Sequence, residues 1–516
     1  MSETIQHMNT STAPPTMFAP PPLDPMTVKT IARHRRALQA MDAAAVSFRK
    51  LRVKHWDSVA RKMDSWEGLS GAYHRRLTEL FKFCVPPNQR VLEIGCGRGD
   101  LLASLEPSEG VGVDFSGEMI RRARQRHPHL RFIEADGHEL QLDETFDFII
   151  LSDLLNDAWD VERLLRRVHK LCMPSTRVII NYYSRLWELP LALAERLGLA
   201  KPNLRQNWLT TEDVTNFLHL ADFEVLRHSA EILLPLDVPL LAGLCNKYLI
   251  RFWPFRWFAL THLLIARPRP SQPDDSEQVS VSVVVAARNE AGNIQAIFER
   301  VPELGTGTEL IFVEGGSSDN TYEVIQETMA RYPERRCKLF KQPGKGKGDA
   351  VRTGFAHATG DVLMILDADL TVAPEDLPRF YEAIRTGKGE FINGVRLVYP
   401  MEQQSMRFCN LLGNKFFSLA FSWLLGQSIK DTLCGTKVLW RKDYEKIAAN
   451  RSYFGDFDPF GDFDLIFGAA KLNLKLVDLA VRYRKRTYGD TNISRWKHGL
   501  LLLRMAAFAA RRIKFV

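Results

Sequence analysis

Two long regions of the chain alternate apolar runs of strand length with polar, helix-forming stretches. In the first region the runs fall at 90–94, 110–114, 130–136, 146–151 and 178–180, and a basic helical stretch at 118–126 separates the second from the third. In the second region, 279–285, 310–313 and 362–366 repeat the pattern. Runs that are apolar throughout predict strands buried on both faces, and strands divided by helices predict parallel sheets. The expected architecture is therefore α/β, with two doubly wound domains. Ahead of them, 28–70 reads as a basic, Ala- and Leu-bearing helix that caps the first domain. Between them lies an apolar aromatic run at 248–264, interrupted by Arg251, Pro254 and Arg256. It has the composition of an interfacial segment and equally that of a packing arm. Pro268-Arg269-Pro270-Ser271-Gln272-Pro273 opens a linker. The expected division is a leader at 1–27, a first domain at 28–267, a linker at 268–278 and a second domain at 279–516.

Composition adds little to the fold but narrows the setting. At 516 residues the chain exceeds one core, and 45% hydrophobic with 25% charged residues is ordinary for a folded protein. A formal charge of +8 suits an anionic substrate, an anionic membrane surface or RNA. The seven cysteines are scattered without a Cys-x-x-Cys pair, which argues against a disulfide framework and fits a reducing cytoplasm. The leader has clustered prolines and no apolar signal core, and no uncharged apolar run reaches spanning length.

The chemistry of the first region sits at its strand ends. Glu93-Ile94-Gly95-Cys96-Gly97-Arg98-Gly99 is a glycine-rich turn opening a helix, where backbone can approach a ligand closely. Its spacing differs from the dinucleotide fingerprint, and Glu93 would repel a diphosphate but suit an ammonium group. Asp114 ends the second run, where doubly wound folds place a carboxylate on ribose hydroxyls, and Asp136 ends the third. Ser152-Asp153 ends the fourth. This series resembles the class I S-adenosylmethionine-dependent methyltransferases over roughly 70–230. The resemblance implies S-adenosylmethionine bound by Glu93, Gly95, Gly97, Asp114 and Asp136, with Ser152 beside the methyl donor. Asn181 and Tyr182-Tyr183-Ser184, beyond the fifth run, suit either an acceptor-facing position or simple loop packing, and the acceptor's identity stays open.

In the second region Leu366-Asp367-Ala368-Asp369 ends a strand in two carboxylates one residue apart, a pair suited to Mg²⁺ or Mn²⁺. Arg288-Asn289-Glu290, Glu314-Gly315-Gly316-Ser317 and Gly344-Lys345-Gly346-Lys347-Gly348 precede it, the last an alternation that approaches phosphates at a helix start. These segments resemble the family 2 inverting glycosyltransferases of the GT-A fold. Asp431-Thr432-Leu433-Cys434-Gly435 resembles the branch that makes dolichyl- or polyprenyl-phosphate sugars. That resemblance implies a nucleotide-sugar held by Arg288, Glu290, Glu314, Lys347 and Asp367, and a metal held by Asp367 and Asp369. It further implies Arg396, Arg484 and Arg486 as cations for an acceptor phosphate, and Asp462 or Asp464 as the base a hydroxyl acceptor would require. Thr371 stands where the family often has Gln or His, which leaves a third metal ligand in doubt. Amphipathic stretches at 410–425 and 496–516 suit in-plane contact with the cytoplasmic leaflet.

The expectation is a bifunctional enzyme: an S-adenosylmethionine-dependent methyltransferase fused to a polyprenyl-phosphate-type glycosyltransferase, peripheral at the membrane. The alternatives are a transferase that elongates a saccharide, and a first domain that methylates RNA or only binds its cofactor.

Overall fold

The computed structural model describes residues 25–62, 70–197, 204–271, 278–396, 398–399, 408–453, 461–486, 488 and 495–516. Most of the expected leader and residues 272–277 of the expected linker lie outside these. The chain divides into two compact units, Met1–Lys54 and His55–Val516. In the first, the described part is the beginning of one long helix, Pro25–Lys62, whose final turns belong to the second.

The second unit contains two seven-stranded sheets. The first is built from β1 (Arg90–Ile94), β2 (Glu109–Asp114), β3 (Arg131–Glu134), β4 (Phe146–Ser152), β5 (Cys172–Tyr183), β6 (Phe223–Glu231) and β7 (Thr261–Pro268), in the order β3-β2-β1-β4-β5-β7-β6. Strands β1 to β5 pair in parallel, and β7 runs antiparallel between β5 and β6. Order reverses at β1, so the crevice past the carboxyl ends of β1 and β4 is the ligand position for such a sheet.

The second sheet comprises β8 (Val281–Ala287), β9 (Thr308–Glu314), β10 (Arg336–Lys341), β11 (Val362–Asp367), β12 (Phe391–Val395), β13 (Lys437–Trp440) and β14 (Leu476–Ala480). Their order is β10-β9-β8-β11-β13-β12-β14, with β13 antiparallel to both neighbours. The interior of β8 and β11 is buried on both faces, as their unbroken apolar runs require.

Three local expectations shift. Tyr182 and Tyr183 belong to β5 itself rather than to a loop beyond it. Asp136 lies past the end of β3, which stops at Glu134. The 248–264 run divides, its first part forming short helical turns and its last part entering β7.

Candidate active sites

The first site grows from the turn after β1. The amides of Gly95 and Cys96 both donate to the carbonyl of Val113, at 2.7 and 3.0 Å. The amide of Gly97 donates to Asp114 Oδ2 at 2.9 Å, and Ser116 N donates to Asp114 Oδ1 at 2.8 Å. Asp114 therefore straps the glycine turn to the end of β2. Gly97 has φ +51°, and a Cβ built there would touch nothing, so the turn is open on that side for close ligand approach. Burial pushes the Asp114 carboxyl up to about 6.

Glu93 is buried in β1, and its Oε2 accepts from Leu102 N at 3.1 Å, bracing the helix that follows the turn. Burial pushes its carboxyl up to about 8. Asp136 Oδ1 accepts from His138 N at 2.9 Å and lies 2.6 Å from His138 Nδ1. Ser152 closes β4 opposite Asn181 of β5. The next residue, Asp153, has φ +53°, an uncommon conformation for a side-chain-bearing residue. Its Oδ1 accepts from Tyr73 Oη at 2.8 Å and from Asn181 Nδ2 at 2.5 Å, and burial pushes it up to about 6. The Tyr73 and Tyr183 rings lie 5.8 Å apart beside it.

Sequence reading missed Tyr73, which reaches the strand ends from the Ser70–Cys84 helix. It also missed Trp56 and Asp57, near the end of the long first helix. Trp56 Nε1 donates to Asp157 Oδ2 at 2.7 Å, and Ser116 Oγ donates to Asp57 Oδ1 at 2.5 Å. These last helical turns cap the loops after β2 and β4. Only a generic capping role was legible there, because a contact between residues 101 apart leaves no local pattern.

The second site lies at the end of β11. Lys347 Nζ is 2.5 Å from Asp367 Oδ1, and Arg486 Nη2 is 2.5 Å from Asp369 Oδ2. Asp369 Oδ1 also accepts from the amide and hydroxyl of Thr371, at 3.1 and 2.8 Å. Thr371 thus braces Asp369 where a further ligand was in doubt. Burial alone would lower the Lys347 ammonium, but Asp367 and Asp462 outweigh it and hold it charged. Glu290 accepts from Asn293 Nδ2 at 2.7 Å. Burial, with Asp369 and Asp367 nearby, pushes its carboxyl up to about 7. Two carboxylates at one strand end, each paired here with one cationic side chain, are hard oxygen donors of the kind that suit a divalent metal ion. Among the described residues no cluster of three potential ligands is preformed.

Gly435 covers this pair. A Cβ there would collide with both Asp367 and the Lys347 ammonium, so the Cys434-Gly435 backbone lies directly on them. Gly461, with φ +73°, packs on the Gly348 backbone with no room for a Cβ, setting the Asp462–Lys471 helix against the start of the Lys347–Ala356 helix. Asp462 Oδ1 is 2.9 Å from the buried Lys437 Nζ, an ion pair without hydrogen-bond geometry. Asp464 pairs with Arg451 at 2.9 Å. Arg396 is locked to Asp431 by two bonds of 2.7 and 2.9 Å. Arg484 N donates to Thr371 O at 2.9 Å, which lays the basic run along Asp369. The carboxylate of Glu314 accepts from Ser317 N at 2.5 Å. Arg288 is exposed just past β8. The structure therefore brings Lys347, Asp367, Asp369, Glu290 and Arg486 together. Arg396 is paired with Asp431 and Asp462 with Lys437, both close enough to act on the Lys347–Asp367 pair, while Asp464 meets Arg451. Asp431 lay inside a motif already noticed and Lys437 two residues beyond it, yet nothing local announced their partners.

Residues 282–448 match the model for glycosyl transferase family 2, and residues 65–228 match a methyltransferase domain model. The second region is similar to a dolichol-phosphate mannosyltransferase of Pyrococcus furiosus, 37% identical over 176 residues, covering 33% of this chain and 49% of that protein. It is also similar to a dolichyl-phosphate beta-glucosyltransferase of Saccharomyces cerevisiae, 30% identical, covering 35% of this chain and 61% of that one. The chain thus spans about half the length of the curated relatives it matches. Among solved structures, a chain in a complex of the Haloferax volcanii Trm112 methyltransferase activator with a putative methyltransferase is 18% identical, with a TM-score of 0.33, over 42% of this chain and 97% of that one. A methyltransferase of Mesorhizobium loti is 23% identical, with a TM-score of 0.30, over 39% of this chain and 100% of that one. The chain is an enzyme with two transferase domains: residues 65–228 belong to a methyltransferase domain and residues 282–448 to a family 2 glycosyltransferase domain.

Proposed function

We propose that the chain is a bifunctional enzyme whose second half transfers a sugar from a nucleotide-sugar to a polyprenyl phosphate. The first half would transfer methyl groups from S-adenosylmethionine. The observation that carries the lipid-phosphate reading is the state of the two candidate bases. Asp462 and Asp464 are each within 2.9 Å of a cation, so each carboxylate already has a protein partner in the place where an acceptor hydroxyl would need it. A phosphate acceptor is already anionic and needs cations rather than a base, and Arg486 with Arg484 stands beside Asp369 to supply them. The similarity to enzymes named for dolichyl-phosphate sugars agrees.

Asp367 and Asp369 are the residues that would hold a divalent metal ion. Such an ion supplies charge neutralisation for the donor diphosphate and its leaving nucleotide. Lys347 would follow the phosphates from the start of its helix, and Arg288, Glu290 and Glu314 would contact the nucleoside end. Arg396 would act through Asp431, holding the Asp431–Gly435 segment over the carboxylate pair. In the first half, Asp114 would accept from ribose hydroxyls, Asp136 would approach the adenine amino group, and the open side of Gly97 would admit the cofactor. Ser152 would lie beside the methyl donor, with the Asp153–Tyr73–Asn181 cluster next to it. The protein would sit peripherally at the cytoplasmic face of the membrane; no helix among the described residues is long and apolar enough to cross one.

Labelled nucleotide-sugars with short polyprenyl phosphates test the reading. Asp369→Ala is expected to lower transfer at least about 100-fold, the scale of losing electrostatic stabilisation of a leaving group. Calorimetry should show S-adenosylmethionine binding unchanged. Retained transfer in Asp369→Ala would remove the metal role, and transfer only to saccharides would remove the lipid acceptor.

A further inference from the structure

An exposed aromatic surface crosses from one half of the molecule to the other. On the Phe408–Leu425 helix, Phe416, Leu419 and Trp423 recur at helical spacing on one side, with Phe416 58% and Leu419 64% exposed. Trp423 meets Phe252 of the methyltransferase half with ring centroids 5.5 Å apart. Next to Phe252, Trp253 is 68% exposed and lies edge-on to Trp257, itself 57% exposed, at 6.2 Å. Phe515 seals the junction from beneath, touching Tyr248, Phe252 and Trp423. Lys514 donates to the Trp423 carbonyl at 2.7 Å and fixes the C-terminal turn there. On the neighbouring Arg495–Ala509 helix, Leu500 and Leu503 are also half exposed. Monomeric proteins rarely leave so large a connected apolar surface to water without a partner for it.

Charge identifies the partner. By sequence, 240–258, 408–425 and 495–516 together contain ten Lys and Arg and no Asp or Glu. Of these, Arg256, Lys415, Arg504, Arg511 and Arg512 are exposed. A second copy would set like charges against each other, whereas an anionic bilayer complements both the Trp-rich surface and its basic surroundings.

We propose that 240–258 of the methyltransferase half and the two glycosyltransferase helices form one docking face for an anionic lipid bilayer. The methyltransferase half supplies its most exposed aromatic residue, Trp253. The proposal gives the lipid-acceptor reading its surface and rests on that reading only for its purpose. The test is co-sedimentation of the full chain with phosphatidylcholine vesicles, with and without phosphatidylglycerol, at low and high salt. Binding should require phosphatidylglycerol and weaken with salt. The double variants Trp253→Ala/Trp257→Ala and Phe416→Ala/Leu419→Ala should each lower binding at least about tenfold, as expected for exposed apolar side chains that become buried in lipid. Both should retain S-adenosylmethionine binding and transfer to a short polyprenyl phosphate in detergent. Wild-type protein that ignores vesicles overturns the face. So does a loss confined to the Phe416/Leu419 pair, because the methyltransferase half would then contribute nothing. Intact vesicle binding with a change of oligomeric state in the tryptophan variant would assign the surface to a second copy and also overturn it. Vesicle binding without transfer to any polyprenyl phosphate would support the face while defeating the acceptor reading.

Discussion

At Gly435 the backbone lies against Asp367 and the Lys347 ammonium with no space for a methyl group. Neither neighbour can retreat cheaply, since each carries the other's counter-charge at 2.5 Å. Gly435→Ala should therefore displace the pair, lowering kcat/KM for the nucleotide-sugar about 100-fold or more, as ångström misplacement of binding groups does. Melting temperature and S-adenosylmethionine affinity should change little; near-normal kcat/KM would show that the close approach is unimportant. In the first site the informative groups are Glu93 and Asp114, pushed by burial from 4.5 to about 8 and from 3.8 to about 6. A carboxyl whose folded pKa is raised favours the folded state while protonated and opposes it once ionised. Their contribution therefore turns against the fold as pH rises from about 4 toward about 8. The cofactor-free protein should lose thermal stability across that window, and Glu93→Gln/Asp114→Asn should flatten the slope. Scanning fluorimetry over pH measures it, and an unchanged slope in the double variant would exclude these groups as its source.

At the scale of elements, what the sequence made legible follows from where information is local. Strands β1, β2, β4, β9 and β11 are largely apolar runs with an acid or a glycine at or just after their last residue, and burial on both faces leaves that pattern little freedom. Their terminal carboxylates were legible because a polar residue closing such a run must lie at the sheet's edge. Strand β7 was hidden within an aromatic segment, since an antiparallel strand following Pro and Arg carries no helix-strand alternation to mark it. The extra length of β5 was hidden because Tyr182 and Tyr183 read as loop chemistry, although Tyr182 is fully buried. Pairings across elements were least legible. Tyr73 with Asp153, Asp462 with Lys437 and Arg396 with Asp431 join residues on different elements, so their outcome depends on packing and not on spacing. The consequence for function is specific. Motif reading gave Asp462 or Asp464 as the base that a hydroxyl acceptor would require, and the structure sets each of them beside a cation, Lys437 and Arg451.

At the scale of the whole molecule, the two sheets meet through buried charge. Arg177 of β5 donates to both oxygens of Glu390, at 2.8 and 2.7 Å, and to the carbonyl of Asn473 at 2.9 Å. Arg267 of β7 approaches the same carboxylate at 3.3 Å and binds Glu224 of β6, which also meets Lys475 at 2.5 Å. Asn473 Nδ2 donates to the carbonyl of Cys84 at 3.0 Å. Three strands of one sheet are thereby tied to the segments leading into β12 and β14 of the other. Burial works against ionising Glu390, but Arg177 and Arg267 overcome it and hold the carboxyl below its usual range. Its stabilising contribution is thus fully present above the ordinary value of 4.5 and is lost as pH falls through the depressed folded value. Removing one partner of a buried pair costs about 3–5 kcal/mol, because the remaining charges are left uncompensated. Glu390→Gln should accordingly lower unfolding free energy at neutral pH by about 3 kcal/mol and remove part of the acid-side slope. Urea titrations at neutral and acid pH measure both. Equal stabilities at neutral pH would mean that apolar contacts, rather than this network, hold the two transferase halves together.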